Sequence, residues 1–153
     1  MLRVVVGGTF EYMHRGHMAL LKKAFDVGDF VYIGLTSDRY VKEKKGRKIS
    51  SYLSRLERLR KEVRMLAGKT EHRYRIAKLE DRYGPALRGR FDAIIVSSET
   101  EKVAREINRI RRQEGIRELR IIKIRRVLAY DGKPISSYRI FRKEIDAEGR
   151  KLL

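Results

Sequence analysis

The strongest constraint on the fold is an apolar run that leads through two glycines into an amphipathic helix at the start of the chain. Residues 4–6 are three valines, and a short β-branched run of this kind predicts a buried strand. Residues 18–25 then carry apolar side chains at helical spacing. The order predicts a first strand at residues 3–6, a tight loop, and a first helix at residues 16–25 that is closed by Gly28.

The loop between this strand and this helix has the composition of an anion-binding site. A helix N-terminus presents free backbone N–H groups and roughly half a positive charge, and both attract phosphate. Gly7 and Gly8 let a ligand approach the backbone because they carry no side chain. The chain has three histidines, and two of them, His14 and His17, fall in this loop. We expect both imidazoles to face one phosphate group, although a turn with incidental surface histidines is the simpler interpretation.

Strand-like and helical segments alternate along the rest of the chain. A second apolar run at residues 30–35 completes a strand–helix–strand unit, whose strands should be parallel. Further strands are predicted at residues 71–79, 91–96 and 119–124, and further helices at residues 53–66, around residues 103–110 and after Ser136. We interpret residues 1–153 as a single α/β domain with a five-stranded, mostly parallel sheet.

Three local details complete this assignment. Ser54 with Glu57, and Ser98 with Glu101, have the spacing of helix capping boxes. His72 is predicted to be an ordinary strand residue without a chemical role.

A basic connection follows the second predicted strand. Residues 36–48 are predicted to form a loop and contain several cations, among them Lys42, Lys44 and Lys45. Ligands of parallel sheets bind outside the carboxyl ends of the strands, so at least one of these lysines should face the ligand. The spacing favours Lys42, and Lys44 and Lys45 remain alternatives.

A second phosphate-binding element is predicted near the end of the chain. Ser136 or Ser137 can serve as the N-cap of a helix whose first turn contains Arg139. An arginine in a first turn opposes the helix dipole unless an anion is present. Arg139 therefore predicts a phosphate partner, and an exposed arginine on a short helix is the alternative.

The composition narrows the function classes. The net charge of +18 fits a nucleic-acid-binding protein, a protein that attracts small polyanions, or a solvated charged surface. The basic residues are spread along the chain, which argues against nucleic-acid binding as the main function. Asn108 and Gln113 are the only amide side chains, which suggests heat adaptation. The absence of cysteine excludes disulfides and thiolate chemistry, and the absence of a long apolar run predicts a cytoplasmic protein without a membrane partner.

Two motifs at opposite ends of the chain carry a family resemblance. Gly-Thr-Phe followed by His-x-Gly-His resembles the signature of the HxGH nucleotidyltransferase superfamily, with Glu11 where aspartate is usual and Met13 where leucine is usual. Residues 135–140 are similar to the Ile-Ser-Ser/Thr-x-Arg-Ile segment of that superfamily, with Tyr138 where threonine is common. Residues 96–100 and 107–111 resemble the archaeal and eukaryotic type of phosphopantetheine adenylyltransferase, and residues 145–150 resemble the end of the archaeal enzymes.

This resemblance implies a Rossmann-like, three-layer fold and adenylyl transfer from ATP to 4′-phosphopantetheine, giving dephospho-coenzyme A and pyrophosphate by direct in-line attack. It implies His17, Lys42 and Arg139 as catalytic residues, with Thr9 and Lys42 on the acceptor phosphate. The residues implied to bind ATP are Gly8, Thr9, Phe10, His14, His17, Ser97, Asn108, Ile135, Ser136, Ser137 and Arg139. Mg²⁺ is expected with ATP, without dedicated protein ligands, and dephospho-coenzyme A or coenzyme A is a further expected ligand.

Two alternatives stay open at this point. Another HxGH nucleotidyltransferase, either an FMN adenylyltransferase or a cytidylyltransferase, would share the loop. Cytidylyltransferases commonly carry Arg-Thr-Glu-Gly before the second motif, whereas this chain has Asp-Gly-Lys-Pro at residues 131–134. A basic nucleic-acid-binding module is the alternative from a different class. The sequence does not indicate the oligomeric state.

Overall fold

The computed structural model describes residues 1–68 and 73–152. Its strands are Arg3–Gly8 (β1), Phe30–Thr36 (β2), Tyr74–Leu79 (β3), Ala93–Val96 (β4) and Arg120–Lys123 (β5). Its helices are Arg15–Val27 (α1), Asp38–Lys44 (α2), Tyr52–Ala67 (α3), Glu101–Gln113 (α4) and Ser137–Phe141 (α5), and Gly84–Leu87 forms a short 3-10 turn. The first residues predicted for the third strand, including His72, lie outside the described residues.

The strands form one sheet in the order β3-β2-β1-β4-β5. Each neighbouring pair is parallel, and β1 pairs with β2 over its full length, from Arg3 opposite Phe30 to Gly8 opposite Leu35. The predicted five-stranded Rossmann-like sheet is confirmed. Gly7 and Gly8, which were expected in the loop, instead extend β1.

Successive side chains of β1 point to opposite faces of the sheet, so the apolar core is divided between the two faces. Val4 and Val6 are fully buried on the face covered by α1 and α3, together with Leu21 and Leu59. Val5 points to the other face, where it belongs to the apolar cluster of α4 and the 3-10 turn. Helices on both faces of a parallel sheet give the expected three layers. Among the described residues, no helix is long and apolar enough to cross a membrane.

Three local predictions were wrong. Residues 38–44 form α2 rather than loop, since the Ser37 side chain accepts the Tyr40 N–H as an N-cap. Helix α3 begins three residues earlier than a Ser54 cap would place it, and Ser51 is its N-cap. No capping box forms at α4, whose N-cap is Thr100.

The C-terminal segment folds back onto the start of α1. Residues 127–151 enclose a small apolar cluster centred on Ile145, which is fully buried. The Arg15 N–H donates to the Ala147 carbonyl at 3.0 Å, and the Ser137 hydroxyl donates to the Glu11 carbonyl at 3.2 Å. The two ends of the chain therefore meet at the loop that carries the histidines.

Asn108 joins α4 to the beginning of β5. Its amide nitrogen donates to the Leu119 carbonyl at 2.8 Å, and its amide oxygen accepts the Leu119 N–H at 2.7 Å. Both residues are buried. Because both polar groups of this side chain are used inside the fold, the assignment of Asn108 as an ATP ligand is corrected to a structural role.

We expect Asn108→Ala to lower the free energy of unfolding by about 2–4 kcal/mol, because it leaves two buried backbone groups without partners. Urea denaturation of the variant measures this loss. Gln113→Ala, at the exposed end of the same helix, is the matched control and should change stability by less than about 0.5 kcal/mol. Equal stability of the two variants would contradict the structural role of Asn108.

Candidate active site

A cavity of about 1020 Å³ opens at the carboxyl ends of β1 and β4. The order of the sheet reverses at β1, because β2 and β4 lie on its two sides. Parallel α/β sheets bind ligands in the crevice at such a reversal. Of the residues predicted to bind ligands, those that line the cavity are Gly8, Thr9, Phe10, His14, His17, Ser97, Ile135, Ser136 and Ser137.

His14 and His17 cap α1 reciprocally. His14 is the N-cap, and its Nδ1 accepts the N–H groups of Gly16 and His17 at 3.0 and 3.3 Å. The Nδ1 of His17 in turn accepts the His14 N–H at 3.2 Å. The two imidazoles lie stacked with their centroids 3.6 Å apart. The spacing of three residues thus makes the motif a capping box built from two imidazoles.

Gly16 is required by the same arrangement. A Cβ atom at position 16 would lie 2.8 Å from the ring of His14, which is closer than two non-bonded carbon atoms can approach. The His-x-Gly-His pattern therefore has a steric reason that is independent of any ligand.

These bonds correct the expected mode of anion binding. The N–H groups of Gly16 and His17 are taken by His14, and that of Arg15 by Ala147. The first amides of α1 therefore have acceptors within the protein. A phosphate at this position must be bound mainly through the imidazole N–H groups, and the helix dipole adds a favourable field.

Both histidines are neutral near pH 7. Burial lowers the pKa of His14 from 6.5 to about 4, and burial followed by repulsion from His14 and Lys45 lowers the pKa of His17 to about 2. Since each Nδ1 accepts a hydrogen bond, the ring proton of each is assigned to Nε2. The pair therefore offers two N–H donors without adding positive charge.

The loop before the histidines is held in an unfavourable backbone conformation. Phe10, Tyr12 and Met13 all have positive φ values, of 51°, 67° and 43°. Phe10 is fully buried, and its ring lies 5.3 Å from that of His17. Packing of Phe10 beneath the imidazole thus offsets the conformational cost, and strain of this kind concentrates at functional sites.

Arg55 is a central residue that sequence reasoning missed. It is fully buried, and its guanidinium donates to the carbonyls of Thr9, Thr36 and Ser50 at 3.2, 2.9 and 2.8 Å, and to Asp38 at 3.3 Å. It thereby fixes the ends of β1 and β2. A signal was present, because Arg55 precedes Leu59 by one helical turn on the apolar face of α3.

Thr9 is positioned from two sides. Its side-chain oxygen accepts the Thr36 hydroxyl at 3.1 Å, and its carbonyl accepts Arg55. The hydroxyl of Thr9 is therefore oriented at the cavity wall before any ligand arrives.

The lysines of α2 are placed differently from the preferred prediction. Lys42 is exposed and lies outside the cavity lining, whereas Lys44 and Lys45 line it. The choice of Lys42 is corrected in favour of its two alternatives. Arg125 and Arg126, in the connection after β5, also line the cavity and were not singled out from sequence.

Arg139 finds its anion within the protein. Its guanidinium pairs with Asp131 at 2.6 Å and contacts Glu144 at 3.4 Å, and hydrogen bonding to Asp131 raises its pKa. It lies outside the cavity lining, while Ser136 and Ser137 line the cavity. Arg139 was predicted to bind a phosphate, but in the structure its partner is Asp131, and its position outside the cavity lining does not support a direct contact with ATP.

Ser97 and the expected metal ion remain to be placed. The Ser97 hydroxyl accepts the Glu99 N–H at 3.3 Å in the turn after β4. Within residues 1–68 and 73–152, no group of three or more histidine, aspartate or glutamate side chains could hold a metal ion.

Comparison with known proteins gives consistent results. A family model described as cytidylyltransferase-like matches residues 5–143. The phosphopantetheine adenylyltransferase of Methanosarcina barkeri is 46% identical over 152 residues, covering 98% of this chain and 92% of that protein. The phosphopantetheine adenylyltransferase of Methanothermobacter thermautotrophicus is 48% identical over 147 residues, covering 95% of this chain and 87% of that protein.

Solved structures show the same fold. A protein of unknown function from Archaeoglobus fulgidus, 30% identical, gives a TM-score of 0.72 over 88% of this chain and 100% of that chain. Pantothenate synthetase from Thermus thermophilus is 17% identical with a TM-score of 0.57, over 92% of this chain and 62% of that chain, and shares the fold alone.

The histidine pair predicts a specific loss of stability in acid. Because the folded-state pKa of His14 lies below its unfolded value, the unfolded chain binds more protons between pH 6.5 and about 4, and stability falls as the pH falls through this range. His14→Asn keeps an N-cap but does not titrate.

We expect the pH slope of the unfolding free energy between pH 6 and 5 to decrease by about 1 kcal/mol per pH unit in His14→Asn relative to the original protein. Urea denaturation at several pH values measures this slope, and the contribution of His72 cancels in the difference. An unchanged slope would mean that burial does not lower the pKa of His14.

Proposed function

The chain belongs to the cytidylyltransferase-like family and, within it, to the phosphopantetheine adenylyltransferases, and we propose that it transfers the adenylyl group of ATP to 4′-phosphopantetheine, giving dephospho-coenzyme A and pyrophosphate. The observation that carries this proposal is the reciprocally capped pair His14–His17 at the wall of the cavity, where the sheet reverses. This reaction belongs to coenzyme A biosynthesis.

The reaction needs positioning and charge stabilisation more than acid–base chemistry. An oxygen of the acceptor phosphate attacks the α-phosphorus of ATP, the bond from that phosphorus to the bridging oxygen breaks, and pyrophosphate leaves with the bonding electrons. The attacking phosphate is already an anion, so no general base is required. Direct in-line attack also requires no covalent intermediate on the protein.

His17 is proposed to donate its Nε2–H to a non-bridging oxygen of the α-phosphoryl group as negative charge develops there. A neutral imidazole held by a backbone bond keeps this donor oriented without reorganisation, which is the main requirement for transition-state stabilisation. His14, stacked at 3.6 Å, is proposed to donate to the triphosphate beside it.

The acceptor phosphate is proposed to lie between Thr9 and the lysines at the end of α2. The Thr9 hydroxyl is already oriented by Thr36 and Arg55. Lys44 and Lys45 line the cavity and supply the positive charge first assigned to Lys42. Two lysines in place of one also allow for the two negative charges of a phosphomonoester.

The leaving pyrophosphate is proposed to contact Ser136 and Ser137 at the start of α5. Arg139 supports these serines indirectly, because its pairing with Asp131 and its bond to the Pro134 carbonyl at 3.1 Å hold the preceding turn. Gly8, Ser97 and Ile135 are uncharged residues that line the cavity. They are proposed to form part of the wall against which the nucleotide packs.

The pantetheine arm is proposed to lie in the less polar half of the cavity. Pro85 and Ala86 of the 3-10 turn and Val103 and Ile107 of α4 line this half. An uncharged chain of amides and methylenes suits such a surface better than the basic mouth does.

Mg²⁺ is proposed to enter with the triphosphate of ATP. The described side chains do not supply a cluster of metal ligands, so none of the steps above is assigned to the ion. When bound to ATP, the ion would neutralise phosphate charge.

His17→Ala should lower turnover by roughly 10²–10³, the scale for the loss of one aligned transition-state donor. Because His17 also caps α1, a thermal melt must show that the variant is folded at the assay temperature. Lys22→Ala, at an exposed position of the same helix, is the control and should keep full turnover. Full turnover in folded His17→Ala would remove this residue from the mechanism.

The deciding assay is pyrophosphate release from ATP with a panel of acceptors, namely 4′-phosphopantetheine, FMN, nicotinamide mononucleotide and glycerol 3-phosphate, with CTP in parallel. We expect release with ATP and 4′-phosphopantetheine alone. Release with FMN, or with CTP and glycerol 3-phosphate, would overturn the proposed acceptor or nucleotide. Silence across the panel in folded protein would overturn the proposed reaction.

A further inference from the structure

The segment after α2 crosses the mouth of the cavity with little backbone support. Lys45 ends α2 by donating its N–H to the Val41 carbonyl at 2.8 Å. Within the described part of the chain, no backbone–backbone hydrogen bond joins residues 46–49 to another segment. Lys45, Gly46 and Arg47 nevertheless line the cavity. Some other interaction must hold this segment in place.

The side chain of Arg47 supplies that interaction. Its two terminal nitrogens donate to the two carboxylate oxygens of Glu11 at 2.7 and 3.3 Å, which is a bidentate pair. Its guanidinium carbon lies 4.5 Å from the centre of the Phe141 ring. The Arg47 side chain is 13% exposed, although it belongs to a segment whose neighbouring lysines are exposed.

Glu11 is the other half of this contact, and it is connected to the phosphate-binding loop. Its side chain is only 3% exposed, and its carbonyl accepts the Ser137 hydroxyl. The pair therefore joins the loop after β1, the segment after α2 and helix α5, which together surround the proposed phosphate sites. A bidentate pair with little access to water specifies geometry far better than an exposed ion pair does.

We propose that Glu11 and Arg47 are positioning residues that hold residues 44–47 over the cavity so that Lys44 and Lys45 face the acceptor phosphate. We call this pair the Glu11–Arg47 latch. The inference rests on the proposed function for the identity of the acceptor, but the ordering of the segment does not.

A competing explanation is that Arg47 binds the substrate phosphate directly. The two explanations predict opposite effects for Glu11→Gln. If the pair is a latch, removing the carboxylate charge releases the segment and weakens acceptor binding. If Arg47 contacts the substrate, the same change frees its guanidinium and leaves acceptor binding unchanged or stronger.

The test uses Glu11→Gln, Arg47→Lys and the double variant. Arg47→Lys keeps the charge but loses both the fork geometry and the contact with Phe141. The matched control is another bidentate pair, Arg88–Glu114, with bonds of 2.8 and 3.1 Å. It lies outside the cavity lining, so Arg88→Lys and Glu114→Gln should change neither readout.

The first readout is limited proteolysis with trypsin, which does not depend on the reaction. Lys44, Lys45 and Lys48 are exposed and offer cleavage sites in this segment. We expect cleavage within residues 44–48 to become at least about tenfold faster in both single variants, with little further change in the double variant. Unchanged cleavage in both variants would overturn the latch, whatever the activity. Arg47→Lys keeps this test available if Glu11→Gln does not fold.

The second readout is steady-state kinetics with 4′-phosphopantetheine. We expect KM for the acceptor to rise about 10- to 100-fold in both single variants, with kcat within about twofold and a smaller change in KM for ATP. A rise in Arg47→Lys without one in Glu11→Gln would overturn positioning in favour of direct contact. If the wild-type protein is inactive with this acceptor but the variants are still cleaved faster, the proposed function is contradicted and the ordering of the segment stands.

Discussion

The reciprocal hydrogen bonds between His14 and His17 are the interaction on which the rest of the site depends. They decide where α1 begins, occupy its first amides and fix the tautomer of both rings. They also explain the glycine between the histidines, since the ring of His14 fills the space that a Cβ atom would need. One short motif therefore ends the loop, starts the helix and presents two N–H donors to the cavity.

The candidate site has neutral hydrogen-bond donors at the centre of the cavity and cations at its rim. Burial keeps both histidines uncharged, while Lys44, Lys45 and Arg125 lie at the exposed rim of the cavity. Cations at the rim attract polyanions from solution. The N–H donors of the two histidines stay fixed while negative charge develops on the transferred group. Some of the basic residues have structural roles instead, since Arg55 and Arg139 bind acceptors inside the protein.

The fold was largely predictable because its signals are local and repeated. The valines of β1 and the apolar runs of β2, β4 and β5 are short local patterns that identify strands by themselves. The helical connections between these strands then indicate that the strands are parallel. The helix caps were less predictable. Ser37 and Ser51 form N-cap hydrogen bonds where residues of the same type nearby were equally plausible, and Thr100 is the N-cap of α4 without a side-chain bond. A capping bond depends on the path by which the chain enters the helix, which neighbours in sequence do not determine.

The sequence by itself determined the parallel sheet, the loop with its two histidines and the resemblance in the terminal motifs. All of these depend on residues close together in the chain. Only the tertiary structure decided which partners the long polar side chains bind. Arg55 reaches three carbonyls from separate segments, Asn108 bonds to Leu119, and Arg139 pairs with Asp131. A side chain with several donors satisfies whichever acceptors the fold brings within about 3 Å, and those acceptors come from distant parts of the sequence.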